Sequence, residues 1–455
     1  MTVADVRAAE ELAAIDAEFL IHPHGAPGPG ERMIVTRGKG ARIWDSTGRE
    51  YIDGTGGGLW ANLVGHGRTE LADVARKELA DLGFFCTFWE FSNPAQIRLA
   101  KRLVELAPEG IAKVNLTAGG TEGIESALKM ARLFHFESGH PEKQWILSRR
   151  SSYHGVGYGS TAATDFDWLR HGFGPQPAGF AHLTPPWPYH SELYGDQDPT
   201  DFLIAELLET IERIGPEKIA AFVGEPIMGV GGMLVPPDDY WPRVEAILRE
   251  HDILLILDEV VTGYGRAGHH FAAERYGLRP DIIVSAKGIT SGYFPVGAVL
   301  MTDRVAQGIS SGDHGFPIGY TYAGHPAGAA VALANLDIIE REGLVDRAAQ
   351  MGEFLATRLK SLLDVPLVGE VRNVGLMAAV EVVTDRRKRT PMESVDAIAA
   401  EIRATHGAIV RPSVGSALIL SPPLTITEDE LDVCVDAIGE VLRRTNTDGT
   451  VNARK

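Results

Sequence analysis

The chain has 455 residues, 44% hydrophobic and 23% charged, an ordinary balance for a globular protein and too long for a single ordinary core. Its formal net charge of −18 argues against a nucleic-acid partner, whose phosphates an acidic surface would repel. Only two cysteines, Cys86 and Cys434, are present, which excludes a disulfide framework or a cysteine-rich metal site.

The first 20 residues have the pattern of an acidic helix, ended by His22-Pro23-His24-Gly25. They lack the basic start and apolar middle of a signal peptide, and no apolar run reaches the roughly 20 residues of a membrane span. The expectation is a cytoplasmic protein without a membrane partner. Strands are expected at Met33–Thr36 and Ala41–Asp45 around the turn Gly38-Lys39-Gly40, then at Glu50–Asp53 after Asp45-Ser46-Thr47-Gly48.

From about residue 70 to 300, helical and strand patterns alternate. The apolar runs Ala220–Val223, Ile253–Leu257 and Ile282–Ser285 are continuous, as in parallel strands buried on both faces. The pattern predicts an α/β layer fold with a mostly parallel sheet. A helix is expected from Pro326 to about Glu342. The last helix opens on the capping pattern Thr427-x-x-Glu430 and carries Cys434 on its apolar face. The tail 446–455 is polar and expected to be disordered. Residues 1–66 are too few for a core of their own. They are expected to join 329–455 in a small discontinuous domain beside a large domain, 67–328.

Four stretches could carry chemistry. In Asp281-Ile-Ile-Val-Ser-Ala-Lys287-Gly288, a buried strand runs out at a lysine among small residues. Burial disfavours the charged ammonium and makes the amine a nucleophile toward an aldehyde. Taken alone, the motif also fits a solvated loop lysine. In Ile253-Leu-Leu-Ile-Leu-Asp258-Glu259, two acids stand at the carboxyl edge of a buried strand, where open α/β sheets bind ligands. An acid there can hold a ring nitrogen protonated; the competing readings are a helix cap or a metal-binding acid pair. Ala118-Gly119-Gly120-Thr121-Glu122-Gly123 precedes a helix and suits a phosphate, although a plain glycine turn reads the same way. Ser152-Tyr153-His154-Gly155 offers a ring that could stack on a flat cofactor or pack in the core. In order, these supply phosphate cradle, ring stacker, ring-nitrogen acid and amine nucleophile, the parts that pyridoxal phosphate (PLP) requires.

Over about residues 15–445 the sequence resembles the class III aminotransferases of the fold-type-I PLP family. The resemblance is carried by Leu255-Ile-Leu-Asp258-Glu259-Val-Val-Thr-Gly-Tyr-Gly-Arg266 with Lys287 downstream, Gly224-Glu225-Pro-Ile-Met-Gly229, Tyr320-Thr-Tyr-Ala-Gly-His-Pro326 and Ser421-Pro-Pro-Leu424. It implies that Lys287 is the Schiff-base lysine and acid/base, and that Asp258 partners the pyridine nitrogen. Val260 and Tyr153 would take the two ring faces, and Gly119, Gly120 and Thr121 the phosphate. His154 belongs to the same cofactor set, and Glu225 lies close by. Thr321 would reach the phosphate of a neighbouring subunit, which implies a homodimer or a dimer of dimers. The family commonly reads Ser-Gly-Ser in the cradle, whereas here it is Gly119-Gly120-Thr121, one hydroxyl fewer.

The subgroup suggested is that of amine– or ω-amino acid:pyruvate aminotransferases. Relatives acting on 4-aminobutyrate with 2-oxoglutarate commonly have an arginine at Val156 and an acid at Val230, and both are apolar here. Trp60 would form an aromatic pocket wall, Phe88 the wall of the partner's pocket, and Val230 a tight small pocket. Arg411 stands where these enzymes carry a mobile arginine for the carboxylate of pyruvate, and a surface ion pair is the competing reading. A 2-oxoglutarate enzyme, an aminomutase or a decarboxylase on the same scaffold remain alternatives, as does a non-catalytic PLP binder. His66, His269 and His270 lack ligand-like spacing with acids, so a metal role is not expected.

Overall fold

The computed structural model describes residues 3–24, 32–195, 197–313, 315–413 and 415–453. Its centre is a seven-stranded sheet. In spatial order the strands are Ile111–Thr117, Gly297–Thr302, Ile282–Ser285, Leu254–Asp258, Ile219–Gly224, Trp145–Arg149 and Phe180–Leu183. Gly297–Thr302 runs antiparallel to both of its neighbours, and the pairings among the last five strands are parallel.

The continuous apolar runs have a simple cause. Leu254 and Ile256 face one way, into a cluster with Ile124, Ala127 and Ala131 of helix Gly120–Glu137. Leu255 and Leu257 face the other way, toward Trp241, Val244 and Leu248 of helix Tyr240–Glu250. Both faces are covered by helices, so no position along the strand can be polar until it leaves the sheet. Ionisable side chains gather just there: Glu225 after Gly224, Asp258 at its strand's end, and Lys287 two residues past Ser285.

Residues 35–53 form a three-stranded antiparallel sheet whose fourth strand, Ala408–Ile409, comes from the far end of the chain and pairs in parallel with Glu50–Asp53. A further sheet contains Val368–Val374, Met377–Asp385, Ala417–Leu420 and Arg411–Pro412. The fully buried Arg266 links these parts through its guanidinium. It donates to Asn62 O (3.1 Å), Ser421 Oγ (3.0 Å) and Pro422 O (2.8 Å).

Three local expectations need correction. The first hairpin is shifted: Gly38 and Lys39 lie in strand Val35–Lys39, Lys39 pairs with Arg42, and the turn is Gly40-Ala41, with Gly40 at φ +57°. The first helix stops at Phe19, ahead of His22, and Gly25 lies outside the described residues. The tail is ordered as far as it is described. Asn446 N donates to Thr450 O (2.8 Å), and Asn452 N to Arg444 O (3.0 Å), so polar side chains and backbone supply the cohesion that apolar residues do not. Thr427 and Glu430 form the expected reciprocal cap of helix Glu428–Arg443, and burial pushes the Cys434 thiol up to about 12. Among the described residues, no helix is long and apolar enough to cross a membrane.

Candidate active site

At the carboxyl edge of the large sheet lies a cavity of about 650 Å³, into which Lys287, Asp258, Glu225, Tyr153, His154, Val260, Gly120 and Thr121 converge. Trp60, Val230 and Arg411 line it as well.

Lys287 occupies a left-handed backbone conformation, φ +42°, rare for a residue with a side chain. Such a conformation costs about 1–3 kcal/mol and persists only where the surroundings enforce it. Here they do. Asn335 Nδ2 donates to the carbonyls of Gly288 (2.9 Å) and Ile289 (3.0 Å), and a Cβ on Gly288 would stand 2.7 Å from Leu63 Cδ1. Lys287 as a residue is half-buried, and its amine lies 5.2 Å from the centre of the Trp60 ring. Burial pushes its pKa down to about 8, against the opposing pull of Asp258.

Asp258 is buried and doubly held. His154 Nδ1 lies 2.8 Å from Oδ2, and Val260 N donates to Oδ1 at 3.1 Å. His154 is itself fixed by its backbone N–H on Thr164 Oγ1 (2.8 Å), while its buried Nε2 has no partner among the described residues. Glu259, the other acid of the pair, turns away from the cavity. It accepts from Ala272 N (2.9 Å), Ala273 N (2.7 Å) and Thr262 Oγ1, and burial pushes it up to about 7. The helix-cap reading therefore describes Glu259, and the ligand-edge reading describes Asp258.

Glu225 bridges two walls of the cavity. It accepts from Tyr153 N (3.1 Å) and Gly229 N (2.7 Å), and burial raises its pKa. Burial likewise raises the phenol of Tyr153. No side chain caps the N-terminus of helix Gly120–Glu137, so its first donors face the cavity with the positive end of the helix dipole. Gly119 adjoins the cavity lining, and a Cβ there would meet nothing within 4 Å. Its missing hydroxyl is therefore not imposed by sterics. Gly120 differs, because a Cβ there would stand 3.0 Å from both methyls of Val260.

Trp60 ends a strained run, Gly56–Trp60, held by Asp53 and Thr55. Gly57 N donates to Asp53 Oδ2 (2.6 Å) and Gly58 N to Thr55 Oγ1 (3.0 Å). Arg411 lies across its ring, 4.6 Å from guanidinium carbon to ring centre, and donates to Gly58 O (3.1 Å). Burial lowers its pKa, and among the described residues no carboxylate pairs with it. The surface ion-pair reading of Arg411 is thus not what the structure contains.

Three sequence-derived residues stand apart from this cavity. Phe88 lines a separate groove with Phe316, Pro317 and Gly319, and Thr321 is exposed near its end. Val156 is 58% exposed and does not line the cavity. Conversely, no local pattern marks the outer wall formed by Pro23, His24 and Trp168, whose His24 and Trp168 rings meet edge to face at 5.0 Å. Nor did it mark Arg149, fully buried beneath Glu225, whose carbonyl accepts from its guanidinium.

These residues fit PLP. The cavity offers an amine of depressed basicity, a buried carboxylate held in place for a ring nitrogen, and uncapped helix donors for a phosphate. The fold and the donor set together define a PLP-dependent transferase of amino groups. Residues 26–442 match the family Aminotransferase class-III, and the chain belongs to that family, whose members use PLP with an amine donor and a keto acid. It is 38% identical to the putrescine–pyruvate aminotransferase of Pseudomonas aeruginosa, over 90% of this chain and 91% of that one. It is also 38% identical to the diaminobutyrate–2-oxoglutarate transaminase of Halomonas elongata, over 94% of each chain. An (S)-enantioselective ω-transaminase from Thermomicrobium roseum superposes with a TM-score of 0.90 at 44% identity, covering 94% of this chain and 97% of that one.

Proposed function

We propose that this aminotransferase takes its amino group from an amine or ω-amino acid and delivers it to pyruvate. The observation that carries this reading is Arg411, a guanidinium lying on Trp60 at the cavity wall and, among the described residues, without a carboxylate partner. It can pair with one substrate carboxylate. Val230 and Val261, which line the same cavity, are apolar and leave a second carboxylate uncompensated. An uncharged amine substituent suits the same wall when Arg411 turns outward.

PLP supplies an electrophilic aldehyde and an electron-accepting ring when bound. In this reading Lys287 Nζ attaches the cofactor. With the cofactor held there, a free Lys287 Nζ would take up and return the substrate's proton, a task for which a pKa of about 8 is suited. Asp258 would partner the ring nitrogen, and His154 holds Asp258 in orientation. Gly119, Gly120 and Thr121 would hold the phosphate and Val260 and Tyr153 the ring, while Glu225 fixes the Tyr153 and Gly229 backbones.

The same reading makes the enzyme a homodimer. Phe84, Phe85, Trp89, Phe91 and Tyr322 are exposed around the Phe88 groove, an apolar area of the kind that a second subunit covers. Phe88 and Thr321 would then serve the neighbour's site.

The test is the rate of the amino-acceptor half-reaction with pyruvate and with 2-oxoglutarate. Pyruvate should be faster by at least about tenfold, the discrimination expected for one unpaired buried charge. Equal rates would favour the alternative suggested by the Halomonas relative, a 2-oxoglutarate enzyme.

A further inference from the structure

Val230 and Arg411 lie on two separate stretches of chain, yet one buried ion pair is bonded to both stretches. Val230 sits in a tight turn, closed by Met228 N on Leu234 O (3.0 Å) and by Met233 N on Gly229 O (3.1 Å). At the turn's end Gly232 has φ +116°, which directs its carbonyl toward Arg372 of strand Val368–Val374. The Arg372 guanidinium donates to Gly232 O through Nε (2.9 Å) and Nη2 (2.6 Å), and to Met233 O (3.2 Å).

The remaining donors of Arg372 go to carboxylates, Glu370 at 2.7 Å and Glu381 at 2.8 Å. The side chains of Arg372 and Glu381 are 8% and 1% exposed. The second oxygen of Glu381 accepts from Ser416 Oγ, and Val382 N donates to Ser416 O (2.9 Å). Ser416 leads directly into strand Ala417–Leu420, on which Arg411–Pro412 is paired, Arg411 opposite Ile419. A continuous path therefore runs from the Val230 turn through Arg372, Glu381 and Ser416 to the strand that carries Arg411.

Core packing alone does not account for this path. A buried ion pair is costly, and an apolar pair of similar shape is often as stable. What charge adds is direction: two fixed carbonyls on one side and one fixed hydroxyl on the other.

We propose that Arg372 and Glu381 are positioning residues that hold the Val230 turn and the Arg411 strand in register, and so set the preference between carboxylated and uncharged substrates. This rests on Arg411 as the carboxylate anchor of the proposed function.

The experiment uses two single-turnover half-reactions, pyruvate as acceptor on enzyme loaded with pyridoxamine phosphate and 1-phenylethylamine as donor on enzyme loaded with PLP. The variants are Glu381→Gln, Ser416→Ala, Arg411→Ala and the double variant Glu381→Gln/Arg411→Ala. Glu381→Gln and Ser416→Ala should raise the half-saturating pyruvate concentration by about tenfold and leave the amine reaction within about twofold. The double variant should be no worse toward pyruvate than Arg411→Ala alone, because Glu381 acts through Arg411.

Equal losses with both substrates, or losses that add in the double variant, would overturn the proposal while leaving Arg411 as the anchor. If Arg411→Ala is itself unselective, the anchor reading fails and the proposal with it. Ser416→Ala removes one hydroxyl from a short turn, so it provides the test if the Glu381 variant does not fold.

Discussion

His154 Nδ1 and Asp258 Oδ2 are 2.8 Å apart, and both side chains are almost wholly buried at the end of the central strand. The Val260 backbone N–H donates to the other carboxylate oxygen at 3.1 Å, so both oxygens of Asp258 have partners. The orientation of the acid that is to balance a ring charge is thus fixed before any ligand arrives.

His154→Ala should therefore weaken cofactor binding more than it weakens the fold. A hydrogen bond to a charged group contributes about 1.5–3 kcal/mol, which corresponds to roughly a 10- to 100-fold rise in the PLP dissociation constant. Cofactor absorbance during dilution measures this. An unchanged constant would mean that Asp258 needs no help from the imidazole.

The amine of Lys287 sets a pH dependence. Only the neutral amine attacks an aldehyde, and with a pKa of about 8 the neutral fraction grows as pH rises through 8 and is complete well below 10.5, the ordinary lysine value. Capture of PLP by the apoenzyme should accelerate with pH, with a midpoint near 8. Asp258 raises this pKa, so Asp258→Asn should move the midpoint lower. A midpoint near 10.5 in the parent enzyme would contradict the buried setting.

Gly120→Ala would place a methyl 3.0 Å from both branches of Val260. Either the helix N-terminus or Val260 must shift, and both are proposed to touch the cofactor. PLP affinity should fall by about tenfold or more, while the apoenzyme's melting temperature changes little, since the clash lies at the cavity wall. By contrast, Gly119→Ser meets open space and restores the family's hydroxyl. It should leave PLP affinity equal or higher, read from the same titration.

Arg411→Ala should cost the pyruvate half-reaction about 1.5–3 kcal/mol in kcat/KM, the contribution of a charge-assisted pair. An uncharged amine donor should lose only a few-fold. Parallel kinetics on the two substrates read the difference, and a uniform loss would make Arg411 a wall residue with no anchoring role.

The features legible in the sequence were those written in consecutive residues. Asp258 and Lys287 end uninterrupted apolar runs, Gly119-Gly120-Thr121 opens a helix, and each signal needs only one segment. Which of Asp258 and Glu259 faces the cavity was assigned only through the family resemblance, since in the fold it depends on Ala272 and Ala273 bonding back to Glu259 from 13 and 14 residues away. The outer wall of His24 and Trp168 joins segments 144 positions apart, and neither residue has a local pattern that marks it. Polar contacts with local backbone explain why residues 446–452 fold back despite their lack of apolar side chains. Val156 shows the opposite failure, since adjacency to Tyr153 and His154 in sequence did not carry it to the cavity.

The central claim is that Lys287 holds the cofactor covalently. Borohydride reduction of the PLP-loaded enzyme, followed by peptide mapping by mass spectrometry, tests it most directly. A single pyridoxyl label on Lys287, absent from Lys287→Ala, is the expected result. A label on a different lysine, or the same labelling in Lys287→Ala, would contradict it.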